Sequence, residues 1–179
     1  DLIVLDQSVT LHTLYQSPNG TFVDHNLGSV SNSRQWGMCV GDFDNDGHKD
    51  VFSGGSYDGV HLMHITAPGQ GTLSSLNNGS MFMQACNMAD VDQDGVLDVF
   101  ACHDDAVSRL WKGDEAGALN NNQALIPLTS YDTGGDSKTD HSGNFGSVWT
   151  DFDRDGDIDL YIAKCRQFVN DPQDPRRVN

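Results

Sequence analysis

Three stretches of this chain set an aspartate at alternate positions and then turn on a glycine. The first is Asp42-Phe43-Asp44-Asn45-Asp46-Gly47-His48-Lys49-Asp50, and matching runs extend from Asp90 to Asp98 and from Asp151 to Asp159. Short acidic arms at every second position of a tight turn aim several oxygens at one point. A hard cation that takes roughly six to eight oxygen ligands requires that arrangement, and calcium fits it best. Without a cation, carboxylates held so close repel one another. The expected ligands are the side chains at positions 1, 3, 5 and 9. They are Asp42, Asp44, Asp46 and Asp50 in the first loop, Asp90, Asp92, Asp94 and Asp98 in the second, and Asp151, Asp153, Asp155 and Asp159 in the third. The backbone carbonyl at position 7 should add a further oxygen, from His48, Val96 and Asp157 respectively. Three Ca2+ sites are therefore expected. Gly47, Gly95 and Gly156 supply the conformational freedom of the turn.

Composition supports this reading. Of 26 acidic residues 25 are aspartate, whereas a merely solubilising surface would mix in glutamate; only Glu115 does so. Aspartate favours turns and short-armed ligation. Three divalent ions would reduce the formal charge of −16 without neutralising it, which argues against nucleic acid or an anionic membrane as partner. No stretch approaches the roughly 20 apolar residues that cross a bilayer as a helix, so no membrane insertion is expected.

The elements around the loops read as strands. An EF-hand would need a glutamate at position 12 and helices on both sides; position 12 is Ser53, Ala101 and Ile162. Val51-Phe52, Val99-Phe100 and Leu160-Tyr161 follow the loops at positions 10 and 11, and on a strand they face opposite sides, so both faces should be buried. Leu14-Tyr15, Leu62-Met63 and Leu110-Trp111 recur 48 residues apart, each before a turn-rich stretch that looks like an outer hairpin. A unit of two strands joined by an acidic loop, then a hairpin, is the size of a propeller blade. The expected fold is all-β: consecutive antiparallel four-stranded blades of an incomplete β-propeller with Asp-rich calcium loops. Asp1-Leu2-Ile3-Val4 aligns with Asp50-Val51-Phe52-Ser53, so both ends should fall inside a repeat. Residues 1–31 would be the outer part of one blade, 32–82 and 83–143 full blades, and 144–179 the inner part of another. The rest of a parent propeller, or other chains, would complete the ring.

The stretch Phe145-Gly146-Ser147-Val148-Trp149-Thr150 leading into the loop Asp151–Asp159 resembles the FG-GAP repeat, also described as the VCBS repeat. Trp36-Gly37 and Gln84-Ala85 stand where the third copy has Phe145-Gly146. Residues 149–179, with Ala163-Lys164-Cys165-Arg166, are similar to the cartilage acidic protein-like branch. The resemblance implies propeller blades with calcium held by the aspartates named above, in secreted or cell-surface proteins. It implies no particular activity.

Smaller features leave alternatives open. Cys86 and Cys102 stand symmetrically about the second loop, as a cross-strand disulfide or as two buried thiols. His61 and His64, three apart on a strand, should face opposite sides. His103 beside Asp104-Asp105 reads as the polar end of a strand or as an acid–base pair. The 130–143 segment is an insertion, and Phe168–Arg177 is another loop; each could bind or simply be mobile. Asn19-Gly20-Thr21 and Asn78-Gly79-Ser80 match glycosylation acceptors. No nucleophile elbow, phosphate loop or zinc motif is present. The expected function is a non-enzymatic recognition or adhesion module for extracellular protein or glycan. The alternative is the scaffold of a larger extracellular enzyme, such as a polysaccharide lyase, with its catalytic residues elsewhere.

Overall fold

Every described strand pairs antiparallel with its neighbour in sequence. The structure, a computed structural model, describes residues 1–76, 80–104, 106–126 and 144–164. The strands are β1 (Leu2–Leu5), β2 (Thr10–Gln16), β3 (Phe22–Ser29), β4 (Gln35–Gly41), β5 (Asp50–Gly55), β6 (Val60–Ala67), β7 (Gln70–Leu76), β8 (Met83–Ala89), β9 (Asp98–His103), β10 (Arg109–Gly113), β11 (Leu119–Asn121), β12 (Asn144–Thr150) and β13 (Asp159–Lys164). They form four meanders: β1-β2-β3, β4-β5-β6-β7, β8-β9-β10-β11 and β12-β13. The first strands stand side by side, β4 against β8 and β8 against β12. This is an all-β chain of consecutive blades in a β-propeller-like arrangement, with no helix among the described residues.

The apolar pair after each loop explains why the sheets stack. Val51 and Phe52 are 1% and 0% exposed and enter different cores, because adjacent residues of a strand point to opposite faces. Val51 packs with Leu11, Val30, Met63 and Ile65 between the first and second sheets. Phe52 joins Val99, Met83 and Trp111 between the second and third, its ring 5.4 Å from that of Trp111. Phe100 faces Trp149 of β12 at 6.2 Å, edge to face. Burying one such side chain contributes about 1.5–3 kcal/mol. The pattern stops at the last sheet: Leu160 packs inward, but Tyr161 is 55% exposed, against the expectation of two buried faces. The described residues include no sheet beyond β12-β13 to cover it.

The same irregularity opens β4, β8 and β12. Ladder register slips by one residue between Gln35 and Gly37, between Met83 and Ala85, and between Asn144 and Gly146. The bulged residues are Trp36, Gln84 and Phe145, the aromatic position of the Phe-Gly motif, and a bulge at a strand entrance bends the strand and re-aims the side chain. The small residue that follows has its own cause. A β-carbon on Gly37 would lie 2.9 Å from Met83 Cε and 3.0 Å from Ala85 Cα, so β4 reaches β8 only because glycine stands there.

Two expectations about register need correction. The first hairpin is offset by one: Leu14 pairs with Leu2 as Met63 pairs with Val51 and Trp111 with Val99. Leu14 therefore corresponds to Met63, not to Leu62. Around the second loop Ala89 pairs with Asp98, so Cys86 stands opposite Ala101 and Cys102 opposite Ala85. The two cysteines face opposite sides of the sheet and are free thiols. Burial raises both; Cys102 is pushed up to about 11. Cys86 turns instead toward Cys39 across the gap between blades, a neighbour that register within one sheet did not suggest. The 130–143 insertion, the Phe168–Arg177 loop, Cys165, Asp105 and the Asn78-Gly79 acceptor lie outside the described residues.

Candidate metal centre

Each acidic loop joins the first two strands of its sheet, so all three open at the same end of their blades. Two residues per loop bend the backbone inward. Position 6 is glycine at φ +92, +89 and +97 for Gly47, Gly95 and Gly156. Position 4 lies in the same left-handed region without being glycine: Asn45 at 57°, Gln93 at 58° and Arg154 at 65°. Asparagine adopts that region readily, while glutamine and arginine do so at a cost.

The carboxylates hold the turn through the loop's own amides. The glycine N–H donates to position 1 in every copy: Gly47 to Asp42 Oδ2 at 3.1 Å, Gly95 to Asp90 Oδ2 at 2.8 Å and Gly156 to Asp151 Oδ2 at 3.2 Å. The position-7 amides of His48, Val96 and Asp157 donate to Asp46, Asp94 and Asp155 at 2.7, 3.0 and 3.1 Å. Oxygens of Asp42, Asp44 and Asp46 come within 4.8 Å of one another, as do those of Asp90, Asp92 and Asp94, and those of Asp151, Asp153 and Asp159. Asp50 joins Asp44 in a group that also includes His64.

Position 9 has a role that the sequence reading missed. Asp50 is fully buried, and its two oxygens accept from different elements: Oδ2 from Phe43 N–H at 3.1 Å and Oδ1 from Ile65 N–H on β6 at 2.8 Å. Asp98 repeats this with Val91 and with Gly113 on β10, both at 2.9 Å. Asp159 accepts from Phe152 at 2.8 Å, and Asp1 accepts from Gln16 on β2 at 2.8 Å. The last contact confirms Asp1 as the structural counterpart of Asp50. In the first two loops this aspartate clamps the loop to the third strand whether or not it also touches an ion. Burial pushes the Asp50 and Asp98 carboxyls above the usual range against the pull of these amides. The constant 15-residue step from Asp50 to Ile65 and from Asp98 to Gly113 was the available signal.

The loops differ in what balances their charge. In the first, Asp42 Oδ1 is buried without a hydrogen-bond partner, and His64 Nδ1, also buried and unpartnered, lies 3.4 Å from Asp50 Oδ2 and 3.7 Å from Asp44 Oδ2. Converging carboxylates with an orphaned buried oxygen fit a hard cation. In the third loop, the charge of Asp155 raises the Asp157 carboxyl, as expected where like charges crowd. In the second, Lys112 Nζ bonds to Asp92 and lies 2.7 Å from Asp94 Oδ2. Those carboxylates hold the ammonium pKa up, and Lys112 in turn holds Asp94 down. Lys112 was not among the residues the spacing singled out. The side chains of His61 and His64 do face apart, His61 reaching Asp58 and His64 the acidic loop.

Stacked antiparallel meanders, each opening with a bulged strand and an acidic loop, define a propeller-type repeat protein whose aspartate groups can hold a metal ion. The family model described as FG-GAP-like repeat matches residues 1–53 and 42–101, more than half of the chain, which therefore belongs to the FG-GAP-like repeat family. A search of the curated proteins finds no match.

Proposed function

We propose that this chain is a calcium-binding repeat module of a secreted or cell-surface protein, that it works by recognition of extracellular protein or glycan, and that it performs no chemistry. The observation that carries the reading is the recurrence of one acidic loop at the same place in successive sheets, its carboxylates converging each time. A catalytic ion would be unique and would have an acid or base beside an open cleft. Repeated ions inside equivalent loops suit a structural task, namely fixing the turn between the first two strands of each blade. Millimolar extracellular calcium would fill such sites even at modest affinity.

The end of the blades opposite the acidic loops supports recognition. Trp36 is 56% exposed and Tyr57 50% exposed, and both rings lean on Phe82 at centroid distances of 5.9 and 5.1 Å. Trp36 Nε1 donates to Ser56 Oγ at 3.0 Å, which fixes the indole plane. Tyr57 is held at φ 62° on the β5–β6 turn, a strained conformation for a bulky residue. Beside Trp36 opens a cleft of about 420 Å³ that Asp6, Gln7, Arg34 and Gln35 also line. A fixed aromatic face beside hydrogen-bonding groups suits the apolar face and hydroxyls of a sugar, or a protein loop. The test is a glycan and extracellular-protein binding screen on the intact chain with calcium. Trp36→Ala should lose binding while the melting temperature is kept. Turnover of a polysaccharide or ester by the purified chain, abolished by a loop substitution that leaves the fold intact, would overturn the reading.

A further inference from the structure

Lys112 lies on β10 one residue before Gly113, whose amide holds Asp98. The ladders fix its place. Because Leu14, Met63 and Trp111 are equivalent, the next residues, Tyr15, His64 and Lys112, share one position on the third-strand side of their blades. From that position Lys112 extends over the acidic loop and bonds through Nζ to Asp92 Oδ2 and Asp94 Oδ2. Those are positions 3 and 5, two of the four carboxylates whose spacing suits a cation. Beneath the lysine, Asp90 accepts from Asp94 N–H and Gly95 N–H at 2.9 and 2.8 Å; the glycine contact is common to all three loops, and the lysine contact sets this loop apart.

An ammonium and a calcium ion compete for the same lone pairs of Asp92 and Asp94, since calcium needs oxygens at about 2.3–2.6 Å on all sides. The first loop has no such occupant. His64 stands at 3.4 and 3.7 Å from Asp50 and Asp44, forming no hydrogen bond through Nδ1, and Lys49 lies 3.9 Å from Asp42 with a largely exposed side chain. We propose that Lys112 is the resident cation of the second loop, so that this loop closes without calcium and admits the ion only when the lysine swings away. The inference rests on the calcium reading of the other loops. It makes equivalent-looking repeats unequal: the first loop responds to calcium, while the second keeps its shape in low calcium. The tether presents the ammonium at an effective concentration of roughly millimolar or more, against which calcium must compete.

The position-6 amides give one reporter per loop. The 15N-labelled chain would be titrated with calcium chloride while the cross-peaks of Gly47 and Gly95 are followed. In the unmodified chain Gly95 should need about tenfold to a hundredfold more calcium than Gly47, the weight of a charge-assisted contact. Lys112→Met keeps the apolar stem and removes the charge, and should bring the Gly95 midpoint toward that of Gly47. Coincident midpoints in the unmodified chain overturn the proposal, as does an unchanged Gly95 midpoint in Lys112→Met. Should the variant fail to fold, the comparison within the unmodified chain decides alone. Stationary Gly47, Gly95 and Gly156 peaks would instead overturn the calcium reading itself. The lysine is then judged by melting in chelator, where Lys112→Met should lower the melting temperature by about 2 °C or more; no change overturns its role.

Discussion

Aspartates that look alike in the repeated motif do different work. Asp50 and Asp98 each join two backbone amides from different elements, whereas Asp44 and Asp92 point their oxygens into the loop. Asp98→Ala should therefore destabilise the chain even in chelator, by about 2–4 kcal/mol, because the Val91 and Gly113 amides lose their acceptor. Asp44→Ala loses only an exposed amide contact from Asp46, at 3.1 Å, in the metal-free chain and should cost distinctly more when calcium is present. Denaturant melts in EDTA and in calcium separate the two cases. The raised carboxyls of Asp50 and Asp98 also set a pH dependence. In the metal-free chain the protonation-linked part of their contribution is fully present below the ordinary value of 3.8 and is lost as pH rises through the raised values, while the amide contacts remain. Calcium binding runs the other way and should weaken as pH falls through the same window, since protons then occupy these groups. Calorimetric titrations from neutral to acid pH would check that sign. Arg154 carries a cost of a different kind, its φ of 65°. Arg154→Asn keeps a polar side chain that tolerates this region and should stabilise the chain by a few tenths to about 1 kcal/mol in a denaturant melt.

The strand-level design is a bulge, a close approach and a loop. At the entrance to β4 the bulge at Trp36 turns an aromatic ring outward, and Gly37 then lets the backbone reach β8. Gly37→Val would force Met83 and the Ala85 backbone away, and should cost about 2 kcal/mol or more in thermal or denaturant unfolding. Much of this element was legible in sequence. Alternating aspartates, the glycine at position 6 and the apolar pair after each loop marked loop, turn and, for β5 and β9, doubly buried strand, because each answers to a local rule. What escaped were features that depend on a partner element. The clamp of Asp50 on Ile65 needs β6 to arrive, and the facing of Cys86 depends on a one-residue offset that symmetry about the loop does not reveal. Lys112 was hidden for the same reason: it is remote in sequence from the carboxylates it meets.

At the scale of the molecule, the blades share cores but not identical surroundings. Three apolar clusters lie between successive sheets, so a loop that stiffens one blade steadies the face on which the next one packs. The outermost described sheets expose apolar residues, Leu2 and Val4 on one and Val148 and Tyr161 on the other. On the proposed reading, calcium bound in the acidic loops contributes to the stability of the blades. One ion at about a hundred times its dissociation constant adds roughly 2.7 kcal/mol, which for a chain of this size is about 5–10 °C in melting temperature. The direct measurement is thermal unfolding of the intact chain in millimolar calcium and again in excess chelator. A calcium-dependent rise of at least about 5 °C, diminished in Asp44→Ala, is expected. A melting temperature indifferent to both calcium and chelator would contradict it.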